Sequence, residues 1–264
     1  MYMELGRKIR LNRILFETGL RNGRILLMPI DHGIEHGPKD FFSNPASLDP
    51  EYVFRFAYEN ELNGIACHIG LAEKYMQGYE GKLPLILKIN GKTNIPSDEE
   101  PISPLTASVE DAVRLGADAI GYTLYVGSPL QHLDIRQFME VRKEARRYGI
   151  PIIMWSYPRG KAIEAKGGKN SFYAVDYAAR IANELGADMV KLNYPVYEKE
   201  KAELYPKPYN KLELSEEEMV EKVVKSAGKV KVLFSGGSKI SDDILLKRVE
   251  ICLRAGATGF IIGR

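Results

Sequence analysis

The sequence predicts an α/β protein built as one (β/α)₈ barrel, and three observations carry that prediction. Short apolar, β-branched runs alternate with segments of helical periodicity, the order that wraps a parallel sheet in helices, and eight such runs can be counted. The 264 residues match the roughly 250 that eight strand-helix units need. Three helical stretches end in a Gly-Ala pair just before the next run, at Gly116, Gly186 and Gly256, a weak internal repeat expected of equivalent units. A doubly wound open sheet shares this periodicity and is the structural alternative.

The first 23 residues, opening MYMELGRKIRLNRILF, are amphipathic and charged, which reads as a helical cap closing the bottom of a barrel spanning 24–264. A basic helix lying on a membrane surface is the competing reading. The first strand, RILLMPID (24–31), ends at Asp31, placing a carboxylate at the strand tip. Asp31, His32, Glu35 and His36 crowd four possible metal ligands into six positions, enough to consider a divalent ion that polarises a carbonyl. The neighbouring glycines predict an irregular loop whose side chains diverge, and no other His-rich segment supplies a remote ligand. No metal is therefore expected, and His32 is a candidate substrate contact.

The second strand, GIACHIG (64–70), offers His68 as a possible inward residue, while His132 falls in a connection. In the third, LPLILKIN (83–90), Lys88 shares a face with Ile86 and Asn90; the fourth is AIGYTLYVG (119–127). The fifth, PIIMWSY (151–157), runs into Pro158-Arg159-Gly160 and puts Trp155 and Tyr157 on one face. The sixth, MVKLNYP (189–195), sets Met189, Lys191 and Asn193 against Val190 and Leu192. VKVLFSGG (230–237) and GFIIGR (259–264) complete the set. Two connections exceed what a βα turn needs, Gly33 to Pro50 and Val196 to Leu212; the second is either a lid or a solvated insertion or subunit contact. The sequence ends at Arg264, at the mouth of the eighth strand, so the helix expected after that strand is absent from it.

A lysine facing the inside of a barrel is desolvated, which frees its amine to attack a carbonyl. Parity gives that place to both Lys191 and Lys88, and two such cations would depress each other's pKa; the strand pattern does not rank them. Barrels often hold phosphate with the loops after strands seven and eight. Here those loops carry Ser235-Gly236-Gly237 and Gly263-Arg264, offering backbone N–H groups, a hydroxyl and a guanidinium. Arg159 is placed to meet a second phosphate, and the Tyr157 phenol to exchange protons beside a lysine.

The whole-chain balance excludes other classes. A net charge of +2 advertises no nucleic-acid partner, and no apolar run approaches a membrane span. Cys67 and Cys252 lie far apart in apolar segments without a CxxC pair, which reads as reduced thiols of a cytoplasmic protein.

Taken in order, DHGIEHGP (31–38), LILKINGKT (85–93), WSYPRG (155–160), ELGADMVKLNY (184–194), SGG (235–237) and the closing GR resemble the archaeal-type class I fructose-bisphosphate aldolases. The resemblance covers nearly the whole chain. It implies that Lys191, rather than Lys88, forms a Schiff base with a phosphorylated ketose, and that Trp155, Tyr157 and Asp31 serve the same site. It also implies no cofactor beyond the covalent lysine imine, and a homo-oligomer, commonly a decamer. A close branch makes an aminodideoxyheptulosonate with a similar lysine and YPRG motif; WSYPRG and HGIEHGP favour fructose 1,6-bisphosphate. A metal-dependent aldolase and a non-enzymatic phosphosugar-binding barrel are the remaining alternatives.

Overall fold

The computed structural model describes residues 4–237 and 240–263. The apolar runs become β1 (Ile25–Pro29), β2 (Gly64–His68), β3 (Leu85–Lys88), β4 (Ala119–Val126), β5 (Ile152–Pro158), β6 (Met189–Leu192), β7 (Lys231–Ser235) and β8 (Gly259–Ile261). They are parallel and close into a barrel in sequence order. Closure is made where Ile25 stands opposite Gly259 and Leu27 opposite Ile261. A side chain at Gly259 would put its Cβ 1.8 Å from the Ile25 carbonyl oxygen, so glycine is what lets the last strand reach the first. A closed ring rules out the open doubly wound sheet. β6 and β8 stop at Leu192 and Ile261, short of the expected 195 and 264.

Around the ring lie α1 (Leu5–Asn12), α2 (His32–His36), α3 (Pro50–Glu59), α4 (Ile69–Tyr75), α5 (Val109–Arg114), α6 (Gln131–Tyr148), α7 (Lys161–Glu164), α8 (Phe172–Leu185), α9 (Glu216–Ala227) and α10 (Asp242–Arg254). Capping boxes start α5 (Ser108 with Asp111) and α9 (Ser215 with Glu218). Gly116, Gly186 and Gly256 all take positive φ, at 68°, 79° and 95°, as the repeat predicts. His132 belongs to the first turn of α6 rather than to a connection, and its ring bonds back to the Pro129 carbonyl at 3.2 Å.

Strand alternation splits the core in two. Leu85, Leu87, Met154, Val190 and Leu192 face the helices, whereas Leu27, Ile86, Ile153, Met189 and Leu233 fill the inside of the barrel. Leu11, Ile14 and Leu15 join that inner cluster, so the N-terminal segment plugs the bottom, as expected. The segment is stitched in place by polar contacts. Asn63, ahead of β2, donates to the carbonyls of Ile14 (2.8 Å) and Thr18 (2.9 Å) and accepts from Leu26 N–H (2.9 Å). Arg13 pairs with Asp118 at 3.2 Å, Arg7 pairs with Asp188, and Arg10 donates to the Gly149 carbonyl at 3.1 Å. Asp118 and Asp188 are the aspartates of the two Gly-Ala-Asp repeats, and each also accepts from the first N–H of a neighbouring strand. The repeat therefore marks the barrel floor.

Three connections, not two, are long. Gly33 to Pro50 holds α2 and two short 3₁₀ turns. Val196 to Leu212 is largely exposed but anchored to the barrel: Tyr205 is buried, and the Tyr209 hydroxyl donates to Asp176 at 2.6 Å. The third, 91–108, is tied down by the Asn90–Leu105 bridge. Cys67 and Cys252 are buried and free. Among the described residues, no helix is long and apolar enough to cross a membrane.

Candidate active site

Side chains at the carboxyl ends of the strands converge on a cavity of about 210 Å³ lined by Asp31, Tyr157, Lys191, Ser235 and neighbours. Lys191 arrives there from β6 because its register puts it beside Trp155 of β5 on one side and Leu233 of β7 on the other. Lys88 takes a different place. It is fully buried and donates to the Asn90 carbonyl at 3.0 Å and the Thr123 hydroxyl at 2.8 Å. The two ammonium groups each stand 5.2 Å from the centre of the Trp155 ring. Lys88 is not among the residues lining this cavity. Its room comes from Gly121, where a Cβ would lie 2.7 Å from Lys88 Cδ and 2.8 Å from Trp155 Cζ3.

Asp31 is buried at the head of α2. Burial pushes its carboxyl up, but the charges of Lys191 and then Lys88, with smaller help from His68 and His32, outweigh this and hold it below the usual carboxylate range. His68 does face inward, near Lys88 and Asp31; burial and the Lys88 charge push it down to about 4, against the pull of Asp31. Burial lowers Lys88 too, opposed by Asp31, Glu35 and Asp134. The site thus pairs an ionised carboxylate with two lysines of unequal access to the cavity.

The His32–His36 segment is a short helix, which corrects the irregular loop expected from its glycines. Its histidine rings are 6.4 Å apart between centroids, and His36 Nδ1 is 2.5 Å from Asp40. Among the described residues no three His, Cys, Asp or Glu side chains come together as a metal site. His32 lines the cavity, its ring 4.8 Å from that of Phe41.

Ser235, Gly236, Gly237 and Gly263 meet at one rim of the same cavity. Gly263 is glycine for a further reason, since a Cβ there would approach the Pro29 carbonyl oxygen to 2.6 Å. Arg264 lies outside the described residues. Arg159 stands on the β5 side, its guanidinium 5.2 Å over the Tyr157 ring and its Nε 3.6 Å from Asp98. A larger open cavity of about 640 Å³ adjoins there and shares Arg159, Lys169 and Asn170 with the first.

Several of these residues escaped sequence reasoning. Lys169 and Asn170 follow Gly167-Gly168, a glycine-rich basic stretch that was a usable signal. Asp98 sits in the long 91–108 connection, bonded to Lys92 at 2.7 Å. Nothing in a single strand pattern marks Gly121, whose neighbours come from β3 and β5.

Residues 25–264 match the family model described as DeoC/LacD family aldolase. The chain belongs to that aldolase family. The fructose-bisphosphate aldolase class 1 of Thermoproteus tenax is 42% identical over 245 residues, 92% of this aldolase and 83% of that protein. In Halobacterium salinarum the protein of the same name is 37% identical over 244 residues, covering 92% and 84%. That organism's 2-amino-3,7-dideoxy-D-threo-hept-6-ulosonate synthase is 28% identical over 261 residues, covering 99% and 85%. The solved structure of an archaeal fructose-1,6-bisphosphate aldolase, with its catalytic Lys covalently bound to the carbinolamine intermediate, superposes with a TM-score of 0.80 at 39% identity, covering 96% and 91%.

Proposed function

We propose that this aldolase cleaves fructose 1,6-bisphosphate to dihydroxyacetone phosphate and glyceraldehyde 3-phosphate, with Lys191 as the imine-forming amine. The observation that carries the reading is the position of Lys191: it lines a cavity that has Ser235–Gly237 and Gly263 at one rim and Arg159 on another strand. Donors for phosphate from two sides of one cavity suit a ketose with a phosphate at each end, and the identity to class 1 relatives supports the reading.

Lys191 attacks the C2 ketone to give a carbinolamine, and Tyr157 exchanges the protons by which water leaves. The protonated imine then draws electrons from the C3–C4 bond as Asp31 takes the C4 hydroxyl proton, releasing glyceraldehyde 3-phosphate. Protonation of the remaining enamine at C3, followed by hydrolysis, frees dihydroxyacetone phosphate and the amine. Trp155 lies against both Lys191 and Lys88, and the Lys88 charge helps keep Asp31 ionised. No metal or other cofactor enters this scheme.

Borohydride with dihydroxyacetone phosphate is expected to leave a covalent adduct on Lys191, read by peptide mass. An adduct on Lys88, or none, overturns the assignment; so does loss of cleavage in chelator. Transaldol activity exceeding fructose 1,6-bisphosphate cleavage would instead place the substrate with the heptulosonate synthases. We extend the reading to a cytoplasmic homo-oligomer of decameric form, which light scattering measures; the buried free thiols fit a reducing compartment.

A further inference from the structure

Among the described residues, Glu35 Oε1 on α2 and Trp155 Nε1 on β5, both at the mouth of the barrel, are sealed from solvent without a hydrogen-bond partner. Both residues line the cavity that also holds Lys191 and Asp31. Leaving a buried carboxylate oxygen unmet is costly, so a group entering the cavity that can donate to it gains what the protein alone forgoes. The Trp155 N–H can only donate, and a carboxylate oxygen accepts. A hydroxyl is the group that satisfies either one.

The position of Glu35 says which part of a substrate it meets. Asn94 N–H of the 91–108 connection donates to its backbone carbonyl at 3.0 Å. Its charge acts on Lys88 of β3 and Tyr125 of β4. Those strands lie across the ring from β7 and β8, which carry Ser235 to Gly237 and lead into Gly263. A ketose held by its C1 phosphate at that rim, with C2 at Lys191, extends its C4–C6 half towards Glu35. A carboxylate repels the C6 phosphate, so a hydroxyl of that half is its fitting partner.

We infer that Glu35 sets the specificity of this aldolase for a hydroxylated aldehyde, by accepting a hydrogen bond from the hydroxyl beside the aldehyde carbon, the C5 hydroxyl of the ketose. The inference rests on the proposed function and adds a residue to it. Asp31 removes the C4 proton; Glu35 holds the neighbouring carbon's hydroxyl and selects against acceptors that lack it. A site built to pair a substrate hydroxyl rejects the deoxy analogue strongly, because its own polar group is then left unmet.

The test is condensation of dihydroxyacetone phosphate with glyceraldehyde 3-phosphate, compared with the 2-deoxy acceptor 3-phosphooxypropanal. Wild type is expected to prefer the hydroxylated acceptor by at least about 100-fold in kcat/KM. Glu35→Gln keeps part of that preference, and Glu35→Leu brings it to within about 10-fold. A ratio of two substrates on one preparation is independent of how much enzyme is folded. An unchanged ratio in Glu35→Leu, or no preference in wild type, overturns the role of Glu35. Imine trapping on wild type reads the proposed function separately: no adduct overturns both, whereas an adduct with an unchanged ratio overturns Glu35 alone.

Discussion

Trp155 gathers two ammonium groups at one indole ring, each 5.2 Å from its centre, and only that of Lys191 lines the cavity. Gly121 makes that arrangement fit, so Gly121→Ala is expected to displace Trp155 and Lys88 and to lower kcat by at least about 10-fold, since a displacement of about 1 Å can cost about 100-fold. Thermal denaturation distinguishes this from unfolding. Tyr157→Phe removes the phenol while keeping the ring under Arg159; kcat should fall about 100-fold or more with KM little changed. Asp98 is within reach of both Lys92 and Arg159, and it competes with phosphate for Arg159, which lines the cavity. Asp98→Asn should therefore lower KM for fructose 1,6-bisphosphate, with a smaller effect on fructose 1-phosphate, and a KM ratio that does not move would count against it. The inward parity of Lys191, Trp155 and Tyr157 was readable from the alternation of apolar residues. The ranking of Lys191 above Lys88 was not, because it depends on Thr123 and Gly121 of β4, whose positions a strand pattern does not reveal.

At the level of elements, all eight strands were legible because apolar runs bounded by turn residues have few other uses. The short α2 was not: glycine at its second position argued for a loop, and the packing of His32 on Phe41 outweighs that preference. The 91–108 connection was missed for a related reason, since its Pro96, Pro101 and Pro104 and its acidic run show no periodicity at all. The N-terminal plug gives a measurable stake to one residue. Asn63→Ala strips partners from two carbonyls and one amide at the barrel floor, one of them fully buried, and at about 1 to 3 kcal/mol for a buried group left unpaired the loss should be at least about 1 kcal/mol. Urea denaturation checks it; a loss below about 0.5 kcal/mol, the range of an ordinary surface change, would mean the plug docks without it.

Two buried groups bend the pH dependence of the whole molecule in opposite directions between about pH 4 and 6, Asp134 and His68. Burial raises Asp134 from 3.8 to about 6, against hydrogen bonds from Tyr125 N–H and the Tyr122 hydroxyl. Between about pH 4 and 6 the folded Asp134 then holds a proton that the unfolded chain has released, so its contribution to stability declines across that window, whereas His68 has given up a proton that the unfolded chain keeps and contributes a rise. The raised value corresponds to about 3 kcal/mol for this one group, at about 1.4 kcal/mol per pH unit. Asp118 and Asp188, raised chiefly by burial, act in the same direction. Asp134→Asn should remove the declining contribution, so that stability rises more steeply with pH in that window than in the wild type, and an unaltered slope would show that Asp134 titrates normally.

The floor contacts also bear on the order in which the chain assembles. Arg7 meets a residue 181 positions away, Arg10 one 139 away and Asn63 reaches back 49 to Ile14. This segment leaves the ribosome before any strand of the barrel, yet has no complete binding surface until the last strands have been made. Contacts of such long sequence separation slow folding. Until then Leu11, Ile14 and Leu15 are an apolar face in search of a partner, and the early chain is where a chaperone has most to shield.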